Sequence, residues 1–388
     1  MNDSTAKDVA IPKVAIDWYR STPWWRLASQ CITISWRSTH IFLCALALVL
    51  THLWVTASHW MFDSASESIQ SWITSNDGSN PIMTPWNVGM PDTPLPDTPL
   101  SVWQHYLIPM FHWLANPSLN GAADCVAAYI GIIAIWSFVG GCLCRRSVVE
   151  LGTRMTAPWA ESIRLVRNRW QSIAWSTTMP SGLILLMALG PLFLGWISNI
   201  PIIGVWLAGL LLIPTLIFSI GIGWCAAITI FGFPLSVCSI VTEKQADAYD
   251  GISRSAAYTF QRPLTLGLCV IAAQLLSMVG GSILTLVLTA GASVIGAAFD
   301  VGSFTSLSQL GSNWSPILTS IVPLLITAFG FSFFWTASAA TYLVLRLDVD
   351  HAEFDLIDMD VASEPKALPE LPKKNATEPS VIEENSAE

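Results

Sequence analysis

Residues 202–236 read IIGVWLAGLLLIPTLIFSIGIGWCAAITIFGFPLS, 35 residues without one Asp, Glu, Lys, Arg or His. About 20 apolar residues, rising 1.5 Å each, cross a hydrocarbon core of about 30 Å, so this run is long for a single upright crossing. It is either one tilted or kinked span, with Pro214 and Pro234 as kink points, or two short ones. The basic residues decide between the two.

Five further runs have the length and apolarity of spans: 40–60, 123–144, 173–197, 264–297 and 315–345. All 18 Lys and Arg fall between or beyond these runs. Lys7, Lys13, Arg20, Arg26 and Arg37 precede the first, and Arg145, Arg146, Arg154, Arg164, Arg167 and Arg169 lie between the second and third. Lys244, Arg254 and Arg262 separate the fourth from the fifth, and Arg346, Lys366, Lys373 and Lys374 follow the sixth. None is left for 61–122, 198–201 or 298–314. Basic residues stay on the cytoplasmic side of a bilayer, so six spans with both termini inside satisfy every position, whereas one span more or fewer places a cluster outside. Composition agrees: 53% hydrophobic against 12% charged residues, with 19 Trp, does not suit a soluble surface. The expected fold is all-α, a polytopic six-helix bundle with short interfacial amphipathic helices. Its parts are an inner segment 1–39, a membrane domain 40–346 with inner elbows at 145–172 and 242–263, and an acidic tail 347–388.

The net charge of −9 comes largely from that tail, which holds 12 of the 27 acids. Residues 361–388 are rich in Pro, Glu, Ala and Asn and have little to bury, which predicts disorder. Just before them LDVDHAEFDLIDMD (347–360) crowds Asp348, Asp350, Glu353, Asp355, Asp358 and Asp360. The stretch lacks the glycine and final glutamate of a calcium hand, so a solvated acidic face is expected rather than a metal site. Before the first span stand 39 mostly polar residues with no cleavable-signal pattern, so that span is expected to serve as the insertion signal. Among eight cysteines Cys125 alone sits near the outer side, which predicts reduced, packed thiols; Cys142 and Cys144 in CLC make a weak metal signal.

Outside, 61–122 carries the tandem PDTPLPDTPL (91–100), which favours an extended polyproline path. Trp72, Trp86, Trp103, His105, His112 and Trp113 flank it, and interfacial anchoring is expected of them, with SVWQHYLIPMFHWLA (101–115) as a helix on the outer surface. Asn313 in NWS fits a glycosylation sequon in an external loop. Inside, WYRSTPWWRLASQ (18–30), APWAESIRLVRNRW (157–170) and EKQADAYDGISRSAAYTFQRPL (243–264) each precede an outward-going span and suit helices lying in the headgroup layer.

The last of these carries the candidate site. From Asp247 onward, Ala248, Ile252, Ser255, Ala256 and Thr259 share a mildly apolar face, and Asp250 and Arg254 stand four apart in the favourable order for a helix pair. Asp247, Asp250, Ser253, Arg254, Ser255, Tyr258, Arg262 and Pro263 form a candidate elbow for docking a cytoplasmic protein partner. Together with NIPIIGVWLAGLLLI (199–213), GFPL (232–235) and TYLVLRLDVD (341–350), the elbow DAYDGISRSAAYTFQRP (247–263) resembles a group of uncharacterised bacterial multi-pass inner-membrane proteins. The resemblance covers about residues 145–360. It implies a shared fold and no reaction. The elbow is also weakly similar to the coupling loop of ABC-transporter permeases, with QAD (245–247) where EAA is expected before Gly251, and Pro263 one position early.

Chemistry inside the bilayer is sparse. The six cores hold no Lys or Arg, and their one acid is Asp124, at the outer edge of the second. Ion-driven transporters and intramembrane aspartyl proteases keep buried acids because they use them, so both classes are disfavoured. His40, His52 and His59 lie on the first span without histidine partners on other spans, which suits polar packing rather than haem or zinc. No HExxH, P-loop, dinucleotide glycine motif or GxSxG occurs. Small residues at Ser219, Gly223 and Ala227, and at Ala292 and Gly296, suggest close helix packing. The expectation is an inner-membrane protein without catalytic activity, cofactor, metal or nucleic acid, acting as a subunit or scaffold in the lipid bilayer. The alternative is a permease or lipid-handling channel with its path between the fourth and fifth spans.

Overall fold

The computed structural model describes residues 23–62, 118–198, 200, 203–302 and 308–352, and positions 102, 103, 106, 109, 110, 113, 354 and 357. They belong to a compact unit of residues 1–357. Trp72, Trp86, His105, His112, the repeat at 91–100 and the tail from 358 lie outside the described residues.

Every regular element described is helical. A short amphipathic α1 (Pro23–Ser35) leads into α2 (Ser38–Met61), and then come α3 (Leu119–Thr153) and α4 (Trp159–Ser198). Helix α5 (Ile203–Ala227) continues through a π-helical turn (Ile228–Gly232) into α6 (Phe233–Thr242). The elbow forms α7 (Ala248–Gln261), followed by α8 (Pro263–Gly302) and α9 (Ser308–Asp350). Among the described residues, six helical stretches are long and apolar enough to cross a membrane. Residues 203–242 form one continuous helical path, of which Thr215–Thr242 is the span, so the run makes one crossing element rather than two. Pro214 sits inside α5 without breaking it, and the irregularity falls just before Pro234. Proline lacks the N–H for the usual helical bond and its ring crowds the carbonyl four residues back; the wider π turn relieves both.

Of the three stretches expected to lie in the headgroup layer, two contribute separate short helices, α1 and α7. The third does not. Residues 159–170 run into the span as one unbroken α4, because no residue there interrupts the helix before Pro180. Asn313, expected in a loop, falls inside α9.

The centre of the bundle is α3 and α9, and both carry long buried faces. Gly140 makes room for Trp335, whose indole occupies the place where a Cβ would stand. Around this contact gathers an aromatic cluster: Trp136 stacks on Phe331 with ring centroids 4.4 Å apart, and Phe233 meets Trp335 edge-on at 5.5 Å. The segment 101–115 departs from expectation. Its described positions are helical, but Val102 and Tyr106 are buried, and Tyr106 lies 5.7 Å from Trp136 and 5.6 Å from Phe331. Trp103 reaches Phe334 at 6.0 Å. Aromatic side chains serve a core as readily as an interface, and here ring-on-ring packing draws them inward.

The small-residue stripes depart as well. Gly223 and Gly296 face open space, and close approach is made instead at Gly140, Gly131 against Trp54, and Gly251. Burial of Tyr106 predicts that Tyr106→Ala lowers stability by about 3–5 kcal/mol, as for other large-to-small core changes, whereas Tyr106→Phe stays within about 1.5 kcal/mol of wild type. Denaturant unfolding in detergent micelles measures both. A surface anchor would show no such difference.

Candidate functional site

Helix α7 begins where its sequence says it should. Asp247 is the N-cap, its carboxylate accepting from the Asp250 N–H at 2.8 Å, and Asp250 lies in the first turn where the helix dipole favours an acid. Arg262 ends the helix and Pro263 opens α8, where its missing N–H costs nothing. The face turned inward is Gly251, Ser255, Tyr258 and Thr259; Ala248, Ile252 and Ala256, expected on it, are only half-buried. Gly251 sets this register, since a Cβ there would stand 2.8 Å from Ile240 Cγ1 and 3.3 Å from the Ser236 carbonyl. Elbow and span touch backbone to backbone.

The C-terminus of α6 is held by arginines from two other helices. Arg145, fully buried on α3, donates to the Val241 carbonyl at 2.9 Å and pairs with Glu161 at 3.3 Å. Arg169, on α4, donates to the Ile240 carbonyl at 2.6 Å and to the carbonyls of Glu243 and Lys244. These carbonyls have no partner within their own helix and carry its negative dipole end, so guanidinium donors suit them twice over.

Glu243, the residue after α6, is the hub. Its carboxylate lies 3.3 Å from Arg254 Nη1 and 3.2 Å from Arg346 Nη2, and accepts from the Tyr342 hydroxyl at 3.3 Å. The pair expected between Asp250 and Arg254 gives way to this longer-range partner. Tyr258 donates to Asp350, while Asp348 takes Arg262 at 3.4 Å and Thr265 at 3.3 Å. Two of the acids expected on a solvated face therefore fasten α7 to the end of α9; Glu353, Asp355, Asp358 and Asp360 lie outside the described residues. Burial, helped by the bond to Asp350, pushes the Tyr258 phenol well above its ordinary pKa, so it stays a donor at any physiological pH. For Arg254 burial works against the charge and Glu243 outweighs it, leaving the guanidinium firmly protonated.

The elbow residues thus divide. Ser255 and Tyr258 point into the protein, and Pro263 is an exposed helix start. Asp247, Asp250, Ser253, Arg254 and Arg262 are exposed. Two residues that sequence reading did not single out also belong here: Glu243, which is half-buried, and Tyr249, 72% exposed on the first turn of α7. Beside them Glu243, Lys244, Gln245, Ala246, Asp250 and Arg254 line an open depression of about 480 Å³.

Other polar groups are placed singly. The three histidines of α2 do not converge: His59 meets Asp124, which also accepts from Ser58 at 2.8 Å, while His40 lies toward the other end of the helix against Trp159. Cys144 and Cys238 bring their sulfurs within 3.2 Å, fully buried. Among the described residues no three His, Cys, Asp or Glu side chains are placed to hold a metal ion. The seam beside the π turn, where Ser176, Thr177, Thr229, Ser236 and Ser255 gather, is too narrow for water.

Replacing Glu243 by Gln leaves two guanidinium groups facing one another, and stability is expected to fall by about 1.5–3 kcal/mol. Loosening of α7 is expected to speed tryptic cleavage at Arg254 and Arg262 by several-fold, read by timed digestion of the detergent-solubilised protein. No protein-family model, curated protein or solved structure matches this chain.

Proposed function

We propose that this multi-pass protein is a non-catalytic subunit or scaffold of a bacterial cytoplasmic membrane, with both termini inside, that engages a cytoplasmic protein through the elbow at 242–263. One observation carries the reading: α7 is tied to α6 and α9 by the half-buried Tyr258–Asp350 bond and by the more exposed Arg254–Glu243 pair, yet turns Asp247, Tyr249, Asp250 and Ser253 outward beside an open depression. A helix held this rigidly offers its outer face without the ordering cost that a flexible loop would add on binding. Tyr249 and Arg254 are of the residue types enriched in protein interfaces, and the acids around them suit a polar rim.

The orientation rests on where the basic groups gather. Arg37, Arg145, Arg169, Arg254, Arg262 and Arg346 are bound to partners at the same helix ends, namely the start of α2 and α4, the end of α3, α6 and α9, and the whole of α7. Basic residues concentrated at one end of a bundle remain in the cytoplasm.

The test must spare the internal clamp, so the variants are Tyr249→Ala and Asp250→Arg rather than changes at Glu243 or Tyr258. Tagged protein is purified in mild detergent from its native membrane and co-eluting proteins are quantified by mass spectrometry. The expected result is a stoichiometric cytoplasmic protein with the wild type, reduced at least tenfold by either substitution while membrane insertion is unchanged. Recovery of no stoichiometric protein with the wild type, or equal recovery with both variants, would sink the proposal and favour the permease or lipid-handling alternative.

A further inference from the structure

A second cluster at the arginine-rich end takes no part in the elbow. Arg37, directly before α2, and Glu150, near the end of α3, form a two-pronged ion pair, with Nη1 donating to Oε2 at 2.6 Å. One turn before Glu150 stands Arg146. Its natural carboxylate is taken. The Arg146 guanidinium instead lies over the indole of Trp159, 4.1 Å from the ring centroid, and is 92% buried by residue, being 8% exposed. Stacking uses the face of a guanidinium and leaves its edge of N–H donors unsatisfied. In Arg146 both Nε and Nη1 are buried without a hydrogen-bond partner among the described residues.

His40 packs against the same indole, with ring centroids 5.7 Å apart, and is fully buried with neither ring nitrogen bonded. Helices α2 and α4 both start here, and α2 has no side-chain cap at Arg37. Two positive dipole ends, two guanidinium groups and an imidazole therefore surround one carboxylate. A buried cation with unfilled donors is costly unless an anion completes it. Basic pockets between membrane helices at this level take lipid phosphates, and the edge of a guanidinium matches two phosphate oxygens.

We propose that Arg146, with His40 beside it on the Trp159 ring and Arg37 at the adjoining start of α2, binds a phosphate group, carried either by a phospholipid of the adjoining leaflet or by the free ion. The site is independent of the elbow reading and stands or falls separately from it. Delipidated protein is re-exposed to phosphatidylglycerol, and bound lipid is counted by native mass spectrometry. Wild type is expected to hold phosphatidylglycerol at least tenfold better than dioleoylglycerol, which lacks phosphate. Arg146→Gln is expected to lose at least tenfold, Arg146→Lys less, and Arg164→Gln, an exposed arginine on α4, nothing. Should Arg146→Gln fail to fold, His40→Leu is the second variant, with an expected loss of severalfold. Displacement of the lipid by millimolar inorganic phosphate assigns the site to the free ion, and resistance to it assigns the site to the headgroup. Retention at the wild-type level by both Arg146→Gln and His40→Leu, or equal retention of dioleoylglycerol, overturns the proposal.

Discussion

The end of α6 is the constraint on which the arginine-rich half of the described bundle depends. A helix that stops short of solvent leaves carbonyls that must find donors. Here Arg145 and Arg169 reach them from α3 and α4, so three spans are tied together through main-chain atoms of one. Glu243 follows at once and extends the tie to α7 and α9 through Arg254, Arg346 and Tyr342. The register of α7 against α6, set by the backbone contact at Gly251, holds because these pairs hold.

This changes the meaning of the arginines. The arginines gathered at one end of the described bundle are also its framework, since they close helix ends and neutralise carboxylates. Arg37, Arg145, Arg169, Arg254, Arg262 and Arg346 spend donors on carboxylates or carbonyls of the protein. Arg146 is the departure from that pattern, and a departure of a buried charge from pairing is where a ligand is to be sought.

The far half is held differently. Its interior is ring against ring, from Tyr106 through Trp136 and Phe331 to Trp335, with Gly140 supplying the space. Polar exceptions are local, such as Asp124 with Ser58 and His59. Other polar groups inside turn to their own helix, as Thr51 does to the Ala47 carbonyl, whereas His40, Ser137 and Arg146 keep buried atoms unbonded among the described residues.

Span number and the all-helical class were legible in the chain because bilayer thickness forces long uncharged runs and because Lys and Arg cross a bilayer with difficulty. The starts of α7 and α8 were legible too, since Asp247 and Pro263 act on backbone groups a few residues away. Pairing was not. Asp250 lies four residues before Arg254 and Glu243 eleven, and nothing local reveals that α7 folds back to bring Glu243 nearer. Nor could residues 101–115 be told from a surface helix, because Trp and Tyr look alike at an interface and in a core. Short-range backbone chemistry and hydrophobic length are written along the chain. Which charge meets which, and which rings turn inward, depends on how distant helices share the same space.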